Sequence, residues 1–225
     1  MGSEQSAVNA LTFVTAGLIL AATVAAWMYS RRKERGSTTP PVSETPPRVE
    51  TEIAPSPAEP AVEAAATAVE RREHYYVALR HQALHRPRVE LGLTKPSEAT
   101  KPWGVLMETT YDEASVTVFA LSDGNASIYL STGGGFIGGV GHEAVRHAAV
   151  AMVRAAGTAV PLLSPTETFP LPDRGRTIFY LRTEAGVLTG SATERELAQR
   201  RHALSPLFFA GQDVITQYRL VSEKT

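Results

Sequence analysis

A run of 24 residues without a charged side chain, residues 7–30, limits most strongly what this chain can fold into. Residues 10–29 alone would form about 30 Å of helix at roughly 1.5 Å per residue, which matches the hydrocarbon core of a bilayer. Trp27 and Tyr29 lie at the downstream end, where aromatic rings favour the membrane interface. The sequence therefore predicts a transmembrane helix over residues 7–30.

The two flanks of this segment differ in charge. The short N-terminal tail, residues 1–6, carries only Glu4 and the terminal amine. The flank at residues 31–35 carries four basic side chains: Arg31, Arg32, Lys33 and Arg35. The positive-inside rule then predicts a single-pass protein of the cell (inner) membrane, with the bilayer as one partner and the C-terminal domain in the cytoplasm.

Two other interpretations of the N-terminus are open. A cleaved signal peptide fits the small residues at 24–26, but such a peptide carries its positive charge before the apolar run, and this chain carries it after. Met1-Gly2 followed by Ser6 fits the short N-myristoylation pattern. We favour the uncleaved anchor because the basic flank lies on the downstream side.

Residues 36–60 contain seven prolines among Ser, Thr and Glu. Proline fixes φ and lacks a backbone donor, so neither a helix nor a sheet ladder continues through such a segment. The composition predicts a disordered, semi-extended linker that holds the following domain away from the bilayer.

Composition excludes several classes of site. The chain has no cysteine, which rules out disulfides, zinc ribbons and iron–sulfur clusters. A net charge of −1 and a pI near 6.6 argue against a nucleic-acid partner, because such domains present a basic face. We expect no cofactor and no metal.

Residues 61–225 have the patterns of a globular domain. Residues 61–85 are rich in helix formers and predict a helix, which Pro87 stops. Period-two alternation predicts strands at 105–111 and 115–122, and Asp123-Gly124 predicts a tight turn into a third strand at 126–132. These three strands form a meander.

The second half of the domain begins with a helix over residues 143–156, closed by Gly157. A strand at 176–183 turns into a partner at 187–190. Thr193 and Glu196 have the spacing of a capping box, and Ser205-Pro206 predicts the start of a terminal helix.

This order of elements predicts an α+β domain with an antiparallel, roughly five-stranded sheet and helices packed on one face, because its strands come in hairpins. The layout resembles in outline the small profilin-like or roadblock-like domains. The resemblance is one of topology and implies no activity.

The glycine-rich segment between the third strand and the second helix is the main candidate site. Gly133, Gly135 and Gly138 have the spacing G-x-G-x-x-G, which lets backbone amides approach a phosphate near a helix N-terminus. Glu143 in the first helical turn opposes an anion. The alternatives are a structural strand end or a docking loop. The candidate ligand-binding residues are Gly133, Gly134, Gly135, Gly138, Gly139 and Gly141.

Other catalytic or metal chemistry finds little support. His81 and His85 are spaced to share a metal, but Gln82 stands where a zincin has its catalytic glutamate and no third ligand is evident. No nucleophile elbow is present, so we expect no catalytic residues. The sequence predicts a membrane-tethered binding or scaffold module with a protein partner or self-association. The alternative is a nucleotide- or phosphate-binding domain, with or without catalysis, that uses residues 133–141.

Overall fold

The computed structural model describes residues 74–95, 98–112 and 114–223. The predicted tail at 1–6, transmembrane helix at 7–30, basic flank at 31–35 and linker at 36–60 lie outside these residues. Within the described ranges, no helix has both the length and the apolar character needed to cross a bilayer.

An antiparallel sheet lies at the centre of the described domain. Its strands, in chain order, are β1 (Gly104–Thr110), β2 (Ser115–Leu121), β3 (Ala126–Leu130), β4 (Gly135–Ile137), β5 (Ser164–Thr166), β6 (Arg176–Thr183) and β7 (Gly186–Thr193). From edge to edge the order is β4, β3, β2, β1, β6, β7 and β5. The α+β class predicted from the hairpins is confirmed.

Helices precede, interrupt and follow the strands. Helix α1 is described over residues 74–85, and a 3₁₀ turn follows at Arg88–Leu91. The later helices are α2 (Glu143–Ala159), α3 (Glu194–Ala198) and α4 (Ser205–Ser222). The Thr193–Glu196 capping box is present as predicted. Gly157 does not close α2, since the helix continues to Ala159.

The helices cover both faces of the sheet, so the prediction that they pack on one face is wrong. Arg80 of α1 is bonded to Glu108 of β1. Met107 precedes Glu108 in β1. A Cβ added to Gly211 of α4 would lie 2.5 Å from the Met107 sulfur, so α4 packs against Met107. Successive residues of a strand point to opposite faces, so α1 and α4 lie on opposite sides. The central strands are buried on both faces and need a cover on each.

The sheet has seven strands where the sequence predicted about five. Strand β4 comes from the glycine-rich segment and pairs with β3, and β5 comes from the irregular stretch before β6 and pairs with β7. Both are three-residue edge strands. Glycine and proline in such short pieces hide the alternation that marks a strand.

The predicted turn at Asp123-Gly124 is confirmed. Gly124 has a φ of +91°, and the Asp123 carboxylate accepts a hydrogen bond from the Asn125 amide at 2.9 Å. A Cβ on Gly124 would also overlap the Arg146 side chain of α2. Glycine is therefore required here by backbone conformation and by the close approach of α2.

Candidate functional site

The glycine-rich segment forms one edge of the sheet. Gly133 and Gly134 lie in the turn after β3, and Gly135 is the first residue of β4. These three and Gly138 have φ values between +74° and +140°. Only glycine adopts such conformations without strain, so backbone geometry alone explains four of the predicted ligand-binding residues.

Two of the glycines also allow close packing. A Cβ on Gly135 would overlap the carbonyl oxygen of Ile128 in β3. A Cβ on Gly139 would overlap the Tyr218 hydroxyl of α4 and lie 2.5 Å from Val145 Cγ1. The segment therefore packs between β3 and the helices α2 and α4.

Several amides of the segment donate hydrogen bonds inside the domain. The Gly133 amide donates to Leu130 O at 2.9 Å, and the Gly139 amide donates to Ala126 O at 3.1 Å. These contacts are those of a structural strand end. By contrast, the Cβ positions of Gly134, Gly138 and Gly141 face open space.

Strand β4 and the residues after it, 135–140, form a surface that we call the β4 edge. Phe136 stacks on the ring of Tyr218, with centroids 5.1 Å apart. Ile137 and Val140 are 62% and 47% exposed. The β4 edge thus combines the Phe136 ring, which is held by stacking on Tyr218, with two exposed apolar side chains.

The His81 and His85 rings lie 4.4 Å apart on α1, and His85 meets the edge of Phe169. Partial burial lowers the pKa of His85, and the neighbouring His81 lowers it further. No group of three potential metal ligands occurs among the described residues. The contacts of this pair are with aromatic neighbours.

A buried ion pair that the sequence patterns did not predict joins α1 to β1. Arg80 donates from Nε and Nη2 to the two oxygens of Glu108, at 2.8 and 2.7 Å. The Glu108 side chain is fully buried. Thr117 donates a third hydrogen bond to this carboxylate at 2.9 Å, and its hydroxyl also contacts that of Tyr76 at 3.0 Å. The carboxylate therefore lies in a satisfied polar network inside an apolar core.

The same network holds the chain before β6. Arg80 Nη2 donates to the carbonyls of Phe169 and Pro170 at 2.9 and 3.2 Å. Tyr180 donates to Pro170 O at 2.7 Å, and burial raises the pKa of Tyr180 to about 12. Arg80 thus joins α1, the sheet and this loop.

A second arginine, Arg182 of β6, fixes the end of α1. Its Nη1 donates to Ala83 O and Arg86 O at 2.9 and 2.8 Å, which satisfies carbonyls at the C-terminal end of the helix. The guanidinium carbon lies 4.3 Å from the ring centroid of Trp103. Burial lowers the pKa of Arg182 to about 10, so the group remains charged at neutral pH.

Trp103 lines a pocket of about 470 Å³ that we call the Trp103 pocket. The pocket lies between the chain after the 3₁₀ turn, the residues before β1, and the β2–β3 turn. Its charged lining residues are Arg88, Lys95, Glu98, Lys101 and Asp123. Trp103 is 4% exposed, and its Nε1–H has no acceptor. A buried donor without a partner costs about 1–3 kcal/mol.

The sequence carried a signal for the ion pair but none for the pocket. A single acidic residue inside the apolar run of β1 is unusual, because a buried carboxylate needs a partner. Glu108 could have been singled out on that ground. The Trp103 pocket depends on three segments that only the fold brings together.

No family model, curated protein or solved structure matches this chain. Family membership therefore offers no guide to activity.

Proposed function

We propose that this protein is a single-pass membrane protein that holds a binding module at the cytoplasmic face of the cell (inner) membrane. The uncharged run at residues 7–30, the basic flank at 31–35 and the proline-rich linker support the tether. In the described domain α1 is the first element in chain order, and Arg80 and Arg182 bond it to the sheet.

The observation that carries the binding role is the β4 edge. Strand β4 ends the sheet, and no charged residue occurs between Asp123 and Glu143. Edge strands usually carry charges that prevent pairing with other chains. Here the exposed neighbours are the apolar side chains of Ile137 and Val140. The proposed partner is a protein that adds an extended, uncharged, apolar segment beside β4.

A photoreactive side chain at Val140 of the full chain, in native membranes, tests this surface. We expect an adduct with an uncharged segment of a second protein, identified by mass spectrometry. Ile137→Lys should abolish the adduct, because a charge at an edge opposes strand pairing. Val89→Lys, at a position 59% exposed on the 3₁₀ turn, is the matched control and should retain it.

Three outcomes decide between the interpretations. An adduct that survives Ile137→Lys would contradict recognition at the β4 edge, and so would the absence of any adduct. An adduct with a second copy of this chain would show that the β4 edge mediates self-association instead of binding a different protein. Far-ultraviolet circular dichroism of both lysine variants checks that the domain remains folded.

The alternative function, a nucleotide- or phosphate-binding domain that uses residues 133–141, is supported by the open space at Gly134, Gly138 and Gly141. A nucleotide or simple phosphoester should then raise the free energy of unfolding by about 2.7 kcal/mol at a hundredfold excess over its dissociation constant. Gly141→Ala, which meets no neighbour within 4 Å, should remove the gain without damaging the fold. No gain with any such compound would count against this alternative.

A further inference from the structure

One side chain of α4, Tyr218, contacts both β3 and the β4 edge. Its ring stacks on Phe136 of β4, with the two planes 24° apart. Its hydroxyl donates a hydrogen bond to the carbonyl oxygen of Ala126 in β3. The Gly139 amide donates to the same oxygen at 3.1 Å. The last helix and the β4 edge therefore meet at a single carbonyl of the neighbouring strand.

The register of the sheet places the stacked ring on the face that α4 covers. Directly opposed residues of neighbouring strands point to the same face. One such row runs across four strands and consists of Phe136, Ile128, Val118 and Met107. Met107 packs against α4, so the Phe136 ring points to α4 as well. The next residue, Ile137, points to the opposite face, where it is exposed.

Pairing with β3 also turns the main chain of Ile137 outward. The Leu130 amide donates to Gly134 O at 3.2 Å, and hydrogen-bonded residues alternate along an antiparallel pair. Phe136, two residues after Gly134, is therefore again bonded to β3. The N–H and C=O of Ile137 then point away from β3, toward the open side of the sheet. A partner strand pairs with these groups only while β4 stays beside β3.

Strand β4 is a short element that needs support. It has three residues and pairs with β3 at three positions. Gly134 and Gly135 precede Phe136, and glycine loses more conformational freedom on ordering than any other residue. Segments with few contacts open locally without unfolding the whole domain. The stacked ring and the hydroxyl of Tyr218 are contacts from a buried helix that oppose such opening.

We propose that Tyr218 is the positioning residue of the β4 edge. Through this side chain α4 holds β4 in the sheet, and the outward main chain of Ile137 is thereby presented to the partner strand. The role in recognition rests on the proposed function, whereas the hold of Tyr218 on β4 is measurable without any partner.

Amide hydrogen exchange of the full chain in detergent micelles, read by mass spectrometry, tests this hold. Tyr218→Leu removes the stack and the hydroxyl, so peptides that cover residues 135–139 should exchange at least about tenfold faster. Tyr218→Phe keeps the ring and should retain most of the protection. Tyr76→Leu is the matched control, because Tyr76 is as buried as Tyr218 and contacts Thr117 through its hydroxyl on the other face. It should leave the exchange of these peptides unchanged.

The photoreactive side chain at Val140 tests the role in recognition. We expect Tyr218→Leu to lower the yield of the adduct in native membranes at least about tenfold. Tyr218→Phe and Tyr76→Leu should keep the yield of the parent chain. No adduct in the parent chain would contradict the proposed partner, while faster exchange in Tyr218→Leu would still establish the hold on β4.

Phe136→Leu removes the same stack from the β4 side and decides the question if Tyr218→Leu fails to fold. The proposal is overturned if residues 135–139 exchange in these variants as they do in the parent chain. It is overturned as well if Tyr76→Leu accelerates their exchange equally, because the effect would then be a general loss of stability. An adduct that survives Tyr218→Leu at the yield of the parent chain would exclude the role in recognition.

Discussion

Replacing Arg80 by methionine leaves the Glu108 carboxylate in the core without its cation. Glu108 is fully buried, and its remaining donor is the hydroxyl of Thr117. Removing one partner of a buried ion pair typically costs about 3–5 kcal/mol, because the other charge stays desolvated and uncompensated. We expect Arg80→Met to lower the free energy of unfolding by that amount.

The companion variants show where the cost arises. Glu108→Gln leaves Arg80 with the carbonyls of Phe169 and Pro170 as acceptors, and its side chain is 14% exposed. A cation that keeps acceptors and some contact with water costs less, so we expect about 1–3 kcal/mol. The double variant Arg80→Met, Glu108→Met removes both charges and should cost less than Arg80→Met alone.

Chemical denaturation of the full chain with Trp27→Phe, followed by Trp103 emission, measures these differences. Trp103 belongs to the same apolar cluster as Tyr76 of α1, so its emission reports on this face of the sheet. A cost for Arg80→Met below about 1 kcal/mol would equal that of an exposed pair and would refute the reasoning. Strict additivity in the double variant would refute it as well.

Three further predictions follow from other features. A reporter fused after Thr225 should behave as cytoplasmic, because four basic residues follow the apolar run; efficient export of the reporter would contradict the anchor. Gly124→Val should cost about 2 kcal/mol in chemical denaturation, since φ is +91° and the added Cβ meets Arg146; an unchanged midpoint would contradict this. Burial keeps Tyr180 protonated to about pH 12, whereas the unfolded chain loses this proton near pH 10.0. The free energy of unfolding should therefore fall between those values, and the fall should be smaller in Tyr180→Phe.

Local signals in the sequence were sufficient for much of the sheet. The strand predicted at residues 176–183 has the bounds observed for β6, and the turn at Asp123-Gly124 lies where the dipeptide placed it. The capping box at Thr193 is also a local device. Each of these features is determined by residues within a few positions of one another, so the sequence displays them directly.

The placement of the helices required information that is not local. In β2 both faces carry apolar side chains, with Val116 and Val118 on one face and Phe119 and Leu121 on the other. Such a strand needs cover on both faces, but periodicity does not identify which helix covers which. The Arg80–Glu108 pair determines which face α1 covers, because the buried Glu108 carboxylate needs a cation and α1 carries it.

The glycines of residues 131–141 show the same distinction on a smaller scale. Their spacing satisfies a phosphate-binding pattern, yet Gly135 is constrained by Ile128 in the paired strand and Gly139 by Tyr218 in the last helix. A glycine spacing shows which positions lack a side chain, but it does not show what fills the space beside them. Beside Gly135 and Gly139 that space is filled by a carbonyl and a phenol from the chain itself. A spacing of glycines therefore does not by itself identify a ligand site.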